Sequence, residues 1–180
     1  MRSQARCTAA RRCMRGFPIM TAKPCGVRRR FWEELHCPFV INQNRYSVLD
    51  RTVEQNGLKA ALKSTGKGLI AFSPLAQGLL TNRYLNGIPA DSRIKTDGRF
   101  LQASRLTPEL LEKLRALDAL AAERGQTLAQ MALCWVMKDD DVTSVLIGAS
   151  DKEQILDNIG IVGAAPLTQA ELAEIDRITA

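Results

Sequence analysis

From Pro38 onward, short apolar runs alternate with longer stretches of helical period. Phe39-Val40-Ile41 is a short β-rich run that ends at Asn42-Gln43. Residues 51–64, with Thr52, Val53, Leu58, Ala61 and Leu62, fit a helix that Gly57 weakens. Gly66-Lys67-Gly68 breaks the chain before a second apolar run, Leu69 to Phe72. A long loop, about 74–106, then holds Gly78, Gly87, Pro89 and Gly98; loops of that length inside compact domains are usually functional or mobile. Thr107-Pro108 predicts a helix start, with a capping hydroxyl followed by proline at the first helical position. Leu110, Leu114, Leu117 and Ala121 give that helix one buried stripe, and Gly125 ends it. Thr127 to Gln130 is a capping-box pattern for the next helix, in which Met131 and Trp135 read as core. Asp139-Asp140-Asp141 reads as a solvated turn, and Val142 to Ile147 as a third strand. Ser150 to Glu153 predicts another capping box, with Ile155, Leu156 and Ile159 facing inward. Thr168 to Glu171 opens a last helix that buries Leu172 and Ile175.

Apolar strands separated by long helical stretches imply βαβ units and a parallel sheet. No G-x-G-x-x-G follows any of these strands, so the dinucleotide-binding fingerprint of doubly wound folds is absent. Repeated units without it favour an α/β chain of (β/α)-barrel type, whose sites form at the C-terminal ends of the strands. Three such ends carry polar groups: Asn42-Gln43, Ser73-Pro74 and Gly148-Ala149-Ser150.

Composition adds little until it is divided along the chain. An apolar content of 46% and a mean hydropathy near zero fit a globular body, and no apolar run approaches the roughly 18 residues that span a membrane. The net charge of +6 is not evenly spread. Residues 1–38 hold nine Lys/Arg and two acids, whereas the rest holds 16 bases and 17 acids. Residues 1–30 therefore read as a basic head, disordered or non-native, in front of a domain over 31–180 that is close to neutral from residue 39 on. A transit peptide or a nucleic-acid arm are the competing readings. Nucleic-acid binding is disfavoured, because only Phe17, Phe31 and Trp32 accompany the basic residues. The five cysteines form no C-x-x-C and His36 is the only histidine, which points to reduced thiols in a cytoplasmic protein and to no metal site.

The three strand ends taken together resemble the last three strands of the aldo-keto reductases. Asn42-Gln43-Asn44-Arg45-Tyr46-Ser47 resembles the end of that family's strand six, and Phe72-Ser-Pro-Leu-Ala-Gln-Gly78 its strand-seven loop. Arg83-Tyr84 and Gly87 to Arg93 resemble the following segment, and Leu146 to Ser150 with Gln154, Asp157 and Asn158 resembles strand eight and its helix. The match covers about 31–180 and is nearest to the L-glyceraldehyde 3-phosphate reductase-like and potassium-channel β-subunit-like members. It implies a partial (β/α)8 TIM barrel: about the last three β/α units plus a C-terminal helix.

The resemblance implies NADP(H) as cofactor, in an extended pose across the barrel mouth. Gln43 would hold the nicotinamide carboxamide, which needs a donor and an acceptor together. Phe72 would lie near the nicotinamide, or serve simply as strand core. Ser73, Pro74, Leu75, Ala76 and Gly78 would wrap the pyrophosphate, small residues letting backbone N–H groups approach it. Arg83 and Arg93 would grip phosphates. Gly148, Ser150 and Gln154 would take the adenosine end, Ser150 also reading as a helix cap, and Asp157 and Asn158 would reach the adenine. Asp157 stands where the relatives compared commonly have Glu.

No catalytic residue is carried over. The family's tyrosine, lysine and aspartate, with a histidine or asparagine, lie on the first four strands, which precede anything matched here. The reading is thus an NADP-dependent aldo-keto reductase, reducing aldehydes or ketones such as glyceraldehyde 3-phosphate or methylglyoxal, represented by its cofactor half. A small carbonyl substrate is expected only if the missing N-terminal half is supplied. The alternatives are a truncated, inactive fragment or an NADP-sensing regulatory subunit, with a protein partner at the open sheet edges.

Overall fold

The structure is a computed structural model and describes residues 40–88 and 103–180. The head 1–30, His36, the cysteines before Cys134 and the predicted phosphate ligand Arg93 lie outside the described residues. Three parallel strands form one sheet in the order β1 (Ile41–Arg45), β2 (Gly68–Phe72), β3 (Ser144–Leu146). Helices α1 (Thr52–Gln55) and α2 (Leu58–Ser64) connect the first two strands. Single 3-10 turns at Ala76–Gly78 and Asn82–Tyr84 follow β2. Beyond a further such turn at Ala103–Arg105 come α3 (Pro108–Glu123) and α4 (Leu128–Val136), then β3. Finally α5 (Lys152–Ile159) and α6 (Gln169–Thr179) follow β3.

Strand β1 differs from the expected run: Asn42 and Gln43 lie inside it rather than at its end. Pairing with β2 decides this, because Ile41 to Arg45 match Gly68 to Phe72 residue for residue. The backbone ladder does not depend on apolar side chains, so a polar strand forms where its neighbour offers the hydrogen bonds. The helix expected over 51–64 is two helices. Gly57 sits at φ 74° between them, a left-handed conformation that glycine adopts without a Cβ clash.

One face of the sheet is covered. Leu69 and Ala71 of β2 are buried with Asn42 and Asn44 of β1, and Val145 of β3 is half-buried. Against that face pack Leu58 and Leu62 of α2, Leu114 and Leu117 of α3, Met131 and Trp135 of α4 and Ile175 of α6. The two aromatic centres of this core, Tyr46 and Trp135, lie 5.2 Å apart. The other face carries Ile41, Gln43, Arg45, Ile70, Phe72, Ser144 and Leu146, and none of these side chains is buried.

The predicted helix starts at Thr107, Thr127 and Thr168 are all present, each threonine accepting from the backbone N–H three residues on. Full capping boxes form at Thr127 and Thr168. The start of α5 is shifted by one residue: Asp151, not Ser150, is the cap and accepts from the Gln154 N–H at 2.8 Å. The inward face expected for α5 is also corrected, since Ile155, Leu156 and Ile159 are exposed, Leu156 by 67%. A period of 3.6 shows that a helix has an apolar stripe, and the stripe is buried only where a neighbouring element covers it. The triple aspartate is only partly solvated: Asp139 pairs with Lys59, and Asp141 with Lys63 at 2.9 Å.

Candidate functional site

Register places the ends of all three strands in one row, because Arg45 pairs with Phe72 and Phe72 with Leu146. The segments that leave from this row are therefore neighbours at one edge of the sheet, the C-terminal edge. The segment after β2 is under backbone strain. Ser73 at φ 53°, Ala76 at φ 48° and Gln77 at φ 62° all occupy the left-handed region, which costs a residue with a Cβ about 1–2 kcal/mol. Such positions cluster where surrounding structure holds a loop for a purpose. Here the hold consists of Ala76 N–H to the Ser73 carbonyl and Gly78 N–H to the Leu75 carbonyl, both at 2.9 Å. Buried Pro74 and the packing of Leu79 against Tyr84 add to it, and the Thr81 hydroxyl closes the turn by donating to the Gly78 carbonyl at 2.7 Å.

The predicted site residues fall into two groups. Gln43 is exposed on the open face and pairs with Ile70, two residues before Phe72, and the Arg45 guanidinium lies 5.9 Å from the Phe72 ring. Ser73 to Gly78 continue directly from that row, and Arg83 is half-buried on the turn beyond. The second group follows β3. Gly148 and Ser150 are exposed, and the Ser150 N–H donates to Gln154 Oε1 at 3.0 Å. The Gln154 amide in turn donates to Asp151 at 2.7 Å, so its side chain is held at the start of α5. Asp157 accepts from the Thr127 hydroxyl and from the Gln130 amide, both at 3.1 Å, and Asn158 is buried.

Two features escaped the sequence. The first is a cavity of 360 Å³ between the 47–51 turn and the 73–79 loop, with Arg45, Arg51, Arg105 and Lys113 in its wall. The second is a buried polar cluster behind the sheet. The Tyr46 hydroxyl donates to Glu54, and Lys138 donates to both Tyr46 Oη and Glu54 Oε1 at 2.9 Å. Lys59 stands 3.7 Å from the same carboxylate. A tyrosine beside a lysine and an acid is the composition of a proton-donating site, but the environment here works against that use. Burial, then the hydrogen bond and charge of Glu54, drive the Tyr46 hydroxyl far above its ordinary pKa, and its side chain is fully enclosed. Burial alone would raise the Glu54 carboxyl, yet the bonds from Tyr46 and Lys138 and the lysine charges outweigh it and hold it below the usual range. The cluster is structural. No local signal marks it, since Tyr46 and Lys138 meet across 92 residues.

Comparison with known proteins settles the family. The model of the aldo/keto reductase family matches residues 17–180. The chain belongs to the aldo/keto reductase family. It is 49% identical over 147 residues to the L-glyceraldehyde 3-phosphate reductase of Escherichia coli K12, covering 80% of this chain and 42% of that protein. It is 34% identical over 143 residues to a probable voltage-gated potassium channel subunit beta of Oryza sativa subsp. japonica, covering 78% of this chain and 43% of that one. Among solved structures it resembles a glycerol dehydrogenase of Gluconobacter oxydans, with a TM-score of 0.66 at 22% identity over 83% of this chain and 44% of that one. A thermostable aldo-keto reductase complexed with epalrestat gives a TM-score of 0.58 at 23% identity. The parallel sheet and its helices thus follow the fold of aldo/keto reductase structures, and the chain spans less than half the length of the relatives it matches. Among the described residues no helix is long and apolar enough to cross a membrane.

Proposed function

We propose that this chain is the NADP(H)-binding part of an aldo-keto reductase, built from the last three β/α units and the C-terminal helix of a (β/α)8 barrel. The observation that carries the reading is the Ser73–Gly78 loop at the C-terminal edge of the sheet. Three residues with side chains are held there in the left-handed region, beside the exposed amide of Gln43. The small residues Ala76 and Gly78 let a phosphate group come close to the loop backbone, which suits a pyrophosphate. The residues fit the cofactor: Gln43 offers the donor and acceptor a carboxamide needs, Phe72 offers a flat apolar neighbour, and Arg83 and Arg93 offer charge. Gly148, Ser150 and Gln154 would receive the adenosine end, and Asp157 and Asn158 the adenine.

When bound, NADPH supplies the hydride for reducing a carbonyl. This chain's own residues bind and orient; none of them is assigned the proton transfer that reduction also requires. The chain alone is therefore read as inactive, the carbonyl substrate and the proton donor belonging to the part of the fold it does not span. The L-glyceraldehyde 3-phosphate reductase relative favours a small aldehyde as that substrate.

Titration of NADPH into the purified chain, followed by Trp135 fluorescence and by melting temperature, tests the proposal. A saturable signal with a raised melting temperature, weakened in Gln43→Ala, supports it by mass action on the native state. Absence of binding refutes the cofactor assignment. NADPH-dependent turnover of methylglyoxal, lost in Gln43→Ala, refutes the inactive state.

A second reading is an NADP-sensing regulatory subunit in the cytoplasm, favoured by the channel-subunit relatives and by the uncovered apolar residues of α5. It predicts cofactor binding without turnover and a protein partner that protects α5 from solvent.

A further inference from the structure

The cavity between the 47–51 turn and the 73–79 loop has a wall unlike the rest of the molecule. Four cations, Arg45, Arg51, Arg105 and Lys113, face it against one acid, Asp50. Two of the four are committed elsewhere. Arg51 donates to the Val48 carbonyl at 3.2 Å and to the Thr179 hydroxyl at 2.8 Å, and pairs with Asp176; Lys113 donates to the Ala180 carbonyl. Asp50 accepts from the Thr52 hydroxyl at 2.7 Å through Oδ1 and turns Oδ2 toward Arg45. Arg45 and Arg105 make no guanidinium hydrogen bond among the described residues, although Arg45 lies 5.9 Å from the Phe72 ring. The nearest carboxylate oxygen to Arg45 is that of Asp50 at 4.0 Å, beyond hydrogen-bond distance, and Arg45 Nε is buried with no partner. Arg105 has neither an ion pair nor a hydrogen bond among the described residues.

A buried guanidinium N–H without an acceptor carries a desolvation cost, and a ligand oxygen would remove it. We propose that this cavity binds a small oxyanion, a phosphate or carboxylate group, through the guanidinium groups of Arg45 and Arg105. Guanidinium forks match the geometry of both groups. The volume of 360 Å³ lies within the range that takes whole small molecules, which leaves room for a short carbon skeleton beyond the anionic group. The site adjoins the loop assigned to the cofactor through Ser73, Ala76 and Gln77, but its argument rests on Arg45 and Arg105 and holds without a nucleotide.

The test is calorimetric titration of inorganic phosphate, glycerol 3-phosphate and, as the neutral control, glycerol into the purified chain without nucleotide. Variants Arg45→Gln and Arg105→Gln are titrated alongside Arg177→Gln, which removes the same charge from an exposed pair with Glu174. The expected result is saturable binding of both anions and none of glycerol, weakened about tenfold by each cavity variant and unchanged by Arg177→Gln. Melting curves establish that the variants are folded; Arg105 is exposed, so its substitution keeps the test valid if Arg45→Gln unfolds. Tighter binding of glycerol 3-phosphate than of phosphate identifies an anion-bearing substrate as the occupant, and equal binding identifies free phosphate. The proposal is overturned if neither anion binds, if Arg177→Gln weakens binding as much as the cavity variants, or if NADPH displaces the anion while both cavity variants bind it normally. That last result would place the anion on the cofactor's own phosphate contacts. NADPH affinity of Arg105→Gln, expected to stay within about twofold, separates failure here from failure of the cofactor assignment.

Discussion

At the scale of single residues, the strain after β2 makes a prediction opposite in sign to most loop substitutions. Ala76 at φ 48° costs about 1–2 kcal/mol, whereas glycine there costs only about 0.5–1 kcal/mol in unfolded-chain entropy. Ala76→Gly is expected to leave the urea midpoint unchanged or raise it by the equivalent of up to about 1 kcal/mol. A clear loss of stability would mean the loop is not strained. Glu54 predicts a pH dependence. Its folded pKa is lowered, so its contribution is present above the ordinary 4.5 and disappears as pH falls through the folded value. Glu54→Gln should cost about 2 kcal/mol at pH 7, because Lys138 and Tyr46 lose a half-buried partner, and should flatten the fall in melting temperature below pH 4.5. An unchanged acid slope would remove Glu54 from the acid transition. The sequence could not show this cluster or the Arg45 cavity. Neither has a local pattern, and both exist only because the fold brings distant side chains together. Gln43, Phe72 and the 73–78 loop were candidates through the resemblance of these runs of adjacent residues to aldo-keto reductase strand ends, although Gln43 lies inside β1.

At the scale of elements, the most legible features are the helix starts. A cap is an exchange of hydrogen bonds across three residues, so Thr107, Thr127 and Thr168 announce themselves. Thr127 does more than cap, since its hydroxyl also donates to Asp157 of α5. Thr127→Ala should therefore lower stability by about 1–2 kcal/mol, at or above the usual cost of a lost cap, and should increase amide exchange in α5 as well as α4. Exchange confined to the first turn of α4 would mean the link to Asp157 is idle. The misread elements share one cause. Strand β1 is placed by its partner's backbone, and the exposed stripe of α5 by the lack of a covering neighbour; neither determinant lies within the element itself.

At the scale of the molecule, the sheet has one covered face and one open face, and both outer strands have an unpaired edge among the described residues. Val162 at 80% exposure and Leu156 at 67% add apolar surface on α5 and its following turn. Exposed apolar surface drives association, and open sheet edges accept further strands. Sedimentation of the purified chain is expected to show concentration-dependent self-association. Leu156→Lys with Val162→Lys is expected to reduce it while leaving the melting temperature within a degree or two, since neither side chain is in the core. A monodisperse parent chain would show that the patch is not adhesive.

The clasp made by Arg51 has a consequence for how the chain is made. Its guanidinium lies 4.6 Å over the Trp135 ring and pairs with Asp176, 125 residues later, while Ile175 completes the core behind the sheet. A ribosome adds about 5–20 residues each second, so several seconds pass between the emergence of the β1 region and that of α6. Over the last 41 residues of that interval, from Trp135 to Asp176, the growing polypeptide exposes Trp135 and the core around it. Of the described helices the one made last closes the fold, so the core stays open to chaperones until it emerges.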